Sequence, residues 1–242
     1  MRRVNVPLIS LGQVALPPAQ AHHLRDVLRL HVGDAVEVFD DAGQTALATI
    51  VRCSPDAVIL DIAGPIQSPP AAFQWTIASA VPKGPRADWM IEKLSELGAA
   101  AFIPLITDRS VVAPAGPSKR RRWLRLAAES ARQSRRGGIM RIDEPTRLAE
   151  LLARLSPPAW FLSTEPSAMA ASDAASRLGK PQTLTALIGP EGDWSPAELD
   201  MFREKALTGV SIDTTILRIE TAAVTAAAII AAVVAPRVSA RE

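Results

Sequence analysis

The sequence predicts an α/β protein built on a mostly parallel sheet and preceded by a small β-rich domain. Three observations carry this reading. From about residue 69 onward, strand and helix patterns alternate, whereas the first 68 residues show short apolar strands, turns and a single helical candidate. A Pro-rich stretch, Gly64-Pro65-Ile66-Gln67-Ser68-Pro69-Pro70, marks a linker between them, so the domains are expected at 1–68 and 69–242. Two segments near the C-terminus, Ile188-Gly189-Pro190-Glu191-Gly192 and Ile216-Leu217-Arg218-Ile219-Glu220-Thr221-Ala222, each look like the end of a strand and a tight loop that opens a helix. Loops at the carboxyl ends of parallel strands are where open α/β sheets bind ligands.

In the first domain, Val36–Phe39, Thr45–Val51 and Val58–Ile62 read as strands, with turns at Asp40-Asp41-Ala42-Gly43 and Ser54-Pro55-Asp56, and Ala19–Arg29 is the helical candidate. In the second, strands are predicted at Phe73–Ala80, Ala101–Ile106, Ala159–Ser163, Thr183–Ile188 and Val210–Ile212. Helices are predicted at Ala87–Leu97, stopped by Gly98 in the left-handed conformation, at Lys119–Ser134 and through Ala168–Leu178. Ser195 as N-cap, Pro196 in the first helical position and Glu198 closing a capping box start a further helix. Thr221 is expected to cap the last one.

The 242 residues are 48% hydrophobic, enough for a sizeable core, and the net charge of +2 hides an uneven distribution. Between Lys119 and Arg141 lie nine basic residues and one acid, Glu129, so this window carries +8 and the rest of the chain −6. Concentrated basic charge points to a polyanion. Trp123, Leu126, Ala127 and Ala131 share one helical face, leaving the arginines on the others. A solvated surface helix would look the same, but the run Arg132-Gln133-Ser134-Arg135-Arg136 entering Gly137-Gly138 suits contact with RNA phosphates and base edges.

Cys53 is the only cysteine, which excludes an intrachain disulfide and a Cys-rich metal centre. His22 and His23 stand beside Arg25 and Arg29 without a third ligand nearby, so no metal site is expected. The longest apolar run, Ala226–Ala235, is too short to span a bilayer, and a soluble, cytoplasmic protein is expected. No Gly-x-Gly-x-x-Gly or phosphate loop is present. Gly189-Pro190-Glu191-Gly192 alone could be a mere turn. Arg218 and Glu220, embedded among apolar residues, could form a structural salt bridge or face a substrate.

Taken together, these residues resemble the RsmE family of SPOUT-class methyltransferases, which modify N3 of a uridine in small-subunit ribosomal RNA. The resemblance runs nearly end to end. His22-His23, Val27-Leu28-Arg29 and Gly33-Asp34 resemble its N-terminal PUA-like barrel. Lys83-Gly84, Lys93, Glu96-Leu97-Gly98, Pro104 and Arg109-Ser110 resemble the start of its catalytic domain, and Gln133-Ser134 with Arg136 its Gln-Ser-x-Arg element. Ile188–Gly192 and Ile216–Ala222 resemble its two cofactor loops. The chain departs from the family pattern at Asp193, where a second Gly is usual, at Ile212-Asp213 in place of Leu-Gly, at Thr215 in place of Arg, and at Met140 in place of Pro.

The resemblance implies a SPOUT-type parallel sheet with a C-terminal trefoil knot behind a PUA-like RNA-binding β-barrel, and a homodimer acting on 16S rRNA of the small ribosomal subunit. It implies S-adenosylmethionine as cofactor, held by Leu162, Ile188, Gly189, Pro190, Glu191, Gly192, Ile216, Leu217, Thr221 and Ala222. RNA contacts are expected from His22, Arg25, Arg29, Arg132, Gln133 and Arg135. Uracil N3 is protonated at neutral pH, so its methylation requires proton removal or stabilisation of the anion. Arg218 or Arg136 is the expected stabiliser and Glu220 the candidate base. A ribose 2′-O-methyltransferase of the same class, or a non-catalytic RNA-binding assembly factor, are the alternatives.

Overall fold

A computed structural model of the chain describes residues 2–40, 44–67, 73–111, 116–134, 136, 138–178, 183–212 and 215–234. Arg135 and Asp213, both singled out from the sequence, lie outside these, as do Asp41–Gly43 of the first turn. The chain forms two compact units, Met1–Ala71 with Ala128–Ile139, and Ala72–Ala127 with Met140–Glu242. The expected boundary at 68/69 falls outside the described residues, and the segment 128–139, expected in the second domain, clusters with the first unit.

The first unit contains β1 (Arg2–Asn5), β2 (Gly12–Ala15), α1 (Pro18–His22), β3 (Ala35–Phe39), β4 (Thr45–Cys53) and β5 (Val58–Ile62). The strands form one sheet in the order β1-β3-β4-β5-β2. β1 runs parallel to β3, and the remaining ladders are antiparallel. Strict alternation sets its faces: Ala46, Ala48 and Ile50 of β4 are buried while Leu47, Thr49 and Val51 point out, and Val58, Leu60 and Ile62 of β5 join the same core. The four-residue strands β1 and β2 are too short to stand out as periodic runs. The expected closed barrel is seen as this five-stranded sheet, with no ladder joining β1 to β2 among the described residues. The predicted helix Ala19–Arg29 is instead the short α1 continued by a π turn over His23–Val27, with Arg29 beyond it at φ 53°.

The second unit contains β6 (Gln74–Ser79), α2 (Pro85–Leu97), β7 (Ala101–Ile106), α3 (Pro117–Gln133, whose last residues belong to the first unit), β8 (Arg141–Ile142), β9 (Thr146–Arg147), α4 (Leu148–Arg154), β10 (Ala159–Leu162), β11 (Met169–Ala170), α5 (Ala171–Ser176), β12 (Thr183–Ile188), α6 (Pro196–Glu204), β13 (Thr208–Ser211) and α7 (Ile219–Val234). The sheet order is β11-β13-β10-β12-β6-β7-β8, with β9 also paired to β7, and every ladder is parallel. Parallel strands covered on both faces are continuously apolar, as Ala101–Leu105 shows by being buried throughout.

α2 starts after Gly84 at φ 65°, with Pro85 in its first position, and stops at Gly98 with φ 102°. Trp123 of α3 is fully buried, meets Phe102 edge-on at 5.7 Å and donates its indole N–H to Asp88 at 2.9 Å. The seven-residue α4 is an addition to the predicted elements, although Leu148, Leu151 and Leu152 carry a helical spacing and are buried. The helix predicted through Ala168–Leu178 shrinks to α5. Among the described residues no helix is long and apolar enough to cross a membrane.

Candidate functional site

The loops after β13, β10 and β12 emerge side by side, because these strands are neighbours in the sheet. They are the segments that carry Ile216–Ala222, Leu162 and Ile188–Gly192, so the topology gathers the three parts of the expected cofactor site at one carboxyl edge.

The loop after β12 is held from within. Its two glycines sit against side chains of the protein itself: a Cβ at Gly189 would lie 3.0 Å from Cε2 of Trp194, and one at Gly192 would lie 3.4 Å from Cβ of Arg109. Trp194 is buried, packs edge-on against Phe202 at 4.9 Å and donates Nε1–H to the Leu162 carbonyl at 2.8 Å. The Leu162 carbonyl is thus already engaged, and its side chain is half-buried. Asp193 explains the usual glycine at its position: it lies at φ 62°, in the left-handed region. An Asp tolerates that region through local hydrogen bonds, and here its carboxylate accepts from the Trp194 N–H at 2.8 Å and from the Thr164 hydroxyl at 3.4 Å.

A turn after β7 completes the support. Ser195 donates its hydroxyl to Asp108 at 2.6 Å, and the Asp108 N–H donates to Glu198 at 3.0 Å. Glu198, almost fully buried, also accepts from the Ser195 N–H at 2.7 Å, while the Glu198 N–H donates to the Ser195 hydroxyl at 3.2 Å. This is the capping box the sequence announced. Arg109 donates Nη1–H to the carbonyls of Gly192 at 2.7 Å and Trp194 at 3.3 Å.

The second segment is organised differently. α7 begins at Ile219, and the Ala222 N–H reaches the Arg218 carbonyl at 2.8 Å. Thr221 therefore lies inside the first turn, exposed, and is not the cap predicted for it. Ile216 and Arg218 are exposed and Leu217 is half-buried. Of the two structural pairings open from the sequence, Arg218–Glu220 or a bridge between elements, the second is present. Glu220, 6% exposed, faces Arg86 of α2, whose Nη1 lies 3.4 Å from Oε1 and also 3.8 Å from the Glu191 carboxylate. Glu220 Oε2 is buried without a hydrogen-bond partner among the described residues. Next to Glu220, a cleft partly open to solvent is lined by Ala80–Lys83, Ser110, Val111, Pro190, Glu191 and Ile219. Arg86 and Asp108 carried no signal in the sequence beyond their charge.

In the first unit, His22 is exposed and its ring nitrogen meets Asp26 at 2.5 Å. Arg25 spends its donors on Asp26 and on the carbonyls of Ser54 and Pro55 at 2.9 and 2.8 Å. It is thereby less available to RNA than its sequence position suggests. Arg29 and Gln133 are exposed, and Arg132 donates to the Gln20 side chain at 3.0 Å. Arg136 is half-buried, and burial pulls its guanidinium pKa down to about 10, so at neutral pH it stays charged in a poorly hydrated setting. Burial and then the Arg132 charge lower the His23 pKa.

The +8 window is also less bare than it looks. Arg120 pairs with Glu144 at 3.0 Å, Arg122 with Asp88 at 2.8 Å and Arg141 with Asp143 at 2.6 Å. Each acid lies outside the window, so +8 less these three leaves an excess of +5.

Comparison with known proteins agrees with this architecture. Residues 69–231 match the RNA methyltransferase domain family and residues 16–63 match the RNA methyltransferase PUA domain. The chain is 32% identical over 213 residues to the ribosomal RNA small subunit methyltransferase E of Bacillus subtilis, covering 84% of this chain and 83% of that protein. Among solved structures, a probable rRNA-methyltransferase from Porphyromonas gingivalis superposes with a TM-score of 0.86 at 26% identity, covering 97% of this chain and 99% of the other. The Legionella pneumophila putative methyltransferase Lpg2936, solved with bound SAM, gives 0.81 at 26% identity, covering 95% and 96%. With a PUA-type domain, a parallel methyltransferase sheet and relatives matched along most of their length, the chain belongs to the RNA methyltransferase family that includes ribosomal RNA small subunit methyltransferase E.

Proposed function

We propose that the chain methylates N3 of a uridine in 16S rRNA of the small ribosomal subunit, using S-adenosylmethionine. The observation that carries the chemistry is Glu220: a buried carboxylate oxygen without a partner among the described residues, on the first turn of α7 next to Ile219, which lines a cleft at the carboxyl edge of a parallel sheet. When bound, S-adenosylmethionine supplies an electrophilic methyl group on a positively charged sulfur. The residues proposed to hold it are Leu162, Ile188, Gly189, Pro190, Glu191, Gly192, Ile216, Leu217, Thr221 and Ala222. The adjacency of β13, β10 and β12 and the apolar side chains among these residues support the fit.

The chain's own residues must make N3 nucleophilic. In this reading Glu220 Oε2 takes the N3 proton while the N3 electron pair forms the new bond to the methyl carbon, whose bond to sulfur would break and leave its electrons on a neutral thioether, and Arg86 holds the other carboxylate oxygen. A donor such as the N3–H would give Oε2 the partner that a buried polar atom otherwise lacks. Arg218, exposed at the entrance to α7, or Arg136 steadies the negative charge that develops on the uracil oxygens. His22, Arg29, Arg132, Gln133 and Arg135 are proposed RNA contacts, with Arg25 a weaker one because its donors are engaged internally. A trefoil knot and a homodimer belong to the same proposal. The insertion of β12 between β6 and β10, both laid down earlier in the chain, favours a threaded C-terminal segment. The exposed Trp89 of α2 and Val233 of α7 offer apolar surface for a second copy.

Glu220→Gln tests the role of the carboxylate. The expected result is a loss of kcat of roughly 100-fold or more with the affinity for S-adenosylmethionine retained. An unchanged kcat would remove Glu220 from the chemistry.

A further inference from the structure

We propose that Arg109 is a positioning residue for the cofactor, a side chain from the turn after β7 that sets the conformation of the Gly189–Trp194 loop. The proposal rests on the reading that this loop holds S-adenosylmethionine.

Three observations converge on Arg109. Its guanidinium donates to two carbonyls of the loop, Gly192 at 2.7 Å and Trp194 at 3.3 Å, across 83 and 85 residues of sequence. Its aliphatic stem packs along Gly192: a Cβ built there would lie 3.4 Å from Arg109 Cβ and 3.5 Å from its Cδ, at van der Waals contact. The turn that carries it is itself fixed: the Thr107 N–H and hydroxyl meet the Ser110 hydroxyl at 3.0 and 2.8 Å, and Asp108 joins Ser195 and Glu198. A cation donating to carbonyls draws those oxygens to one side of the loop, so the backbone groups on the other side are presented in one arrangement before a ligand arrives. Preorganisation of this kind raises affinity by removing the ordering cost of binding. A Cβ at 192 would meet this stem only at ordinary contact distance, so the hold of Arg109 on the loop rests on its two hydrogen bonds.

Hydrogen exchange of the wild-type protein with and without S-adenosylmethionine, combined with calorimetric titration of variants, tests this. Ligand-induced protection across 189–194 is expected in the wild type. Arg109→Ala is expected to weaken cofactor affinity roughly tenfold, with kcat at saturating cofactor little changed and affinity partly restored by millimolar guanidinium or in Arg109→Lys. Wild-type affinity in Arg109→Ala, with loop protection intact, would overturn the role of Arg109 alone. Absence of protection over 189–194 in the wild type would overturn the site reading and this inference with it. Should Arg109→Ala fail to fold, Arg109→Met, which keeps the stem and removes the donors, carries the test, and wild-type affinity in it would overturn the role of Arg109.

Discussion

The loop after β12 and the segment that opens α7 contribute to the same candidate site, yet they are held by different means. The first is tied down by a buried indole, a guanidinium, a capping box and an Asp in the left-handed region, drawn from β7, β10 and α6. In the second, Ile216 is 88% exposed and Arg218 points to solvent, while only Ile219, Glu220 and Ala222 are packed into the fold. One part is a preformed cradle, and the other presents its charged and apolar groups outward, where a large substrate would meet them. Glycine-rich loops are often explained by ligand approach. Here the protein's own packing constrains Gly189, where a Cβ would stand 3.0 Å from the Trp194 ring, while at Gly192 a Cβ would meet Arg109 only at ordinary contact distance.

The largest effect should come from breaking the cradle. Gly189→Val forces a branched side chain onto the Trp194 ring, where even a Cβ would stand at 3.0 Å. Overpacking of this kind costs about 1–3 kcal/mol, so thermal denaturation should show a lowered Tm together with loss of cofactor binding by calorimetry. A normal Tm would mean that the indole yields freely and the loop is not rigid. Next, Arg86→Ala leaves the buried Glu220 carboxylate without its cation. Denaturant unfolding is expected to show a loss of about 1–3 kcal/mol, and unchanged stability would show that the 3.4 Å pair contributes little.

A smaller effect sharpens the role of the left-handed position. Asp193→Gly should change stability by less than about 1 kcal/mol, whereas Asp193→Val should cost about 1–2 kcal/mol, since a β-branched residue resists a φ of 62°. Equal unfolding midpoints for the two variants would contradict this. For the first unit, Arg132→Ala with Arg136→Ala should lower RNA affinity and reduce the log–log salt slope by about 0.9 for each phosphate no longer neutralised. An unchanged slope in a salt titration would remove both arginines from the RNA interface.

What the sequence made legible was local. The box Ser195–Glu198, the stop at Gly98 and the strands Ala101–Ile106 and Thr183–Ile188 all depend on neighbouring residues, and all lie where the local patterns put them. The start of α7 was misplaced because Thr221 suits an N-cap by type, while the helix already turns at Ile219. The partners of the charged residues were not legible. Arg218 and Glu220 are two apart, but the pair that forms is Arg86 with Glu220, 134 residues apart. Asp88, Asp143 and Glu144 likewise reduce a basic excess that looked unopposed when only the window was counted. Pairing across the sheet unit is decided by strand order, which no periodicity reports.

The central claim is a base methylation at N3. Small ribosomal subunits lacking the modification should be incubated with the protein and S-adenosylmethionine, and the RNA digested to nucleosides for mass spectrometry. N3-methyluridine is expected, formed by the wild type and strongly diminished with Glu220→Gln. Methyl groups found only on ribose 2′-oxygens, or no methyl transfer at all, would contradict it.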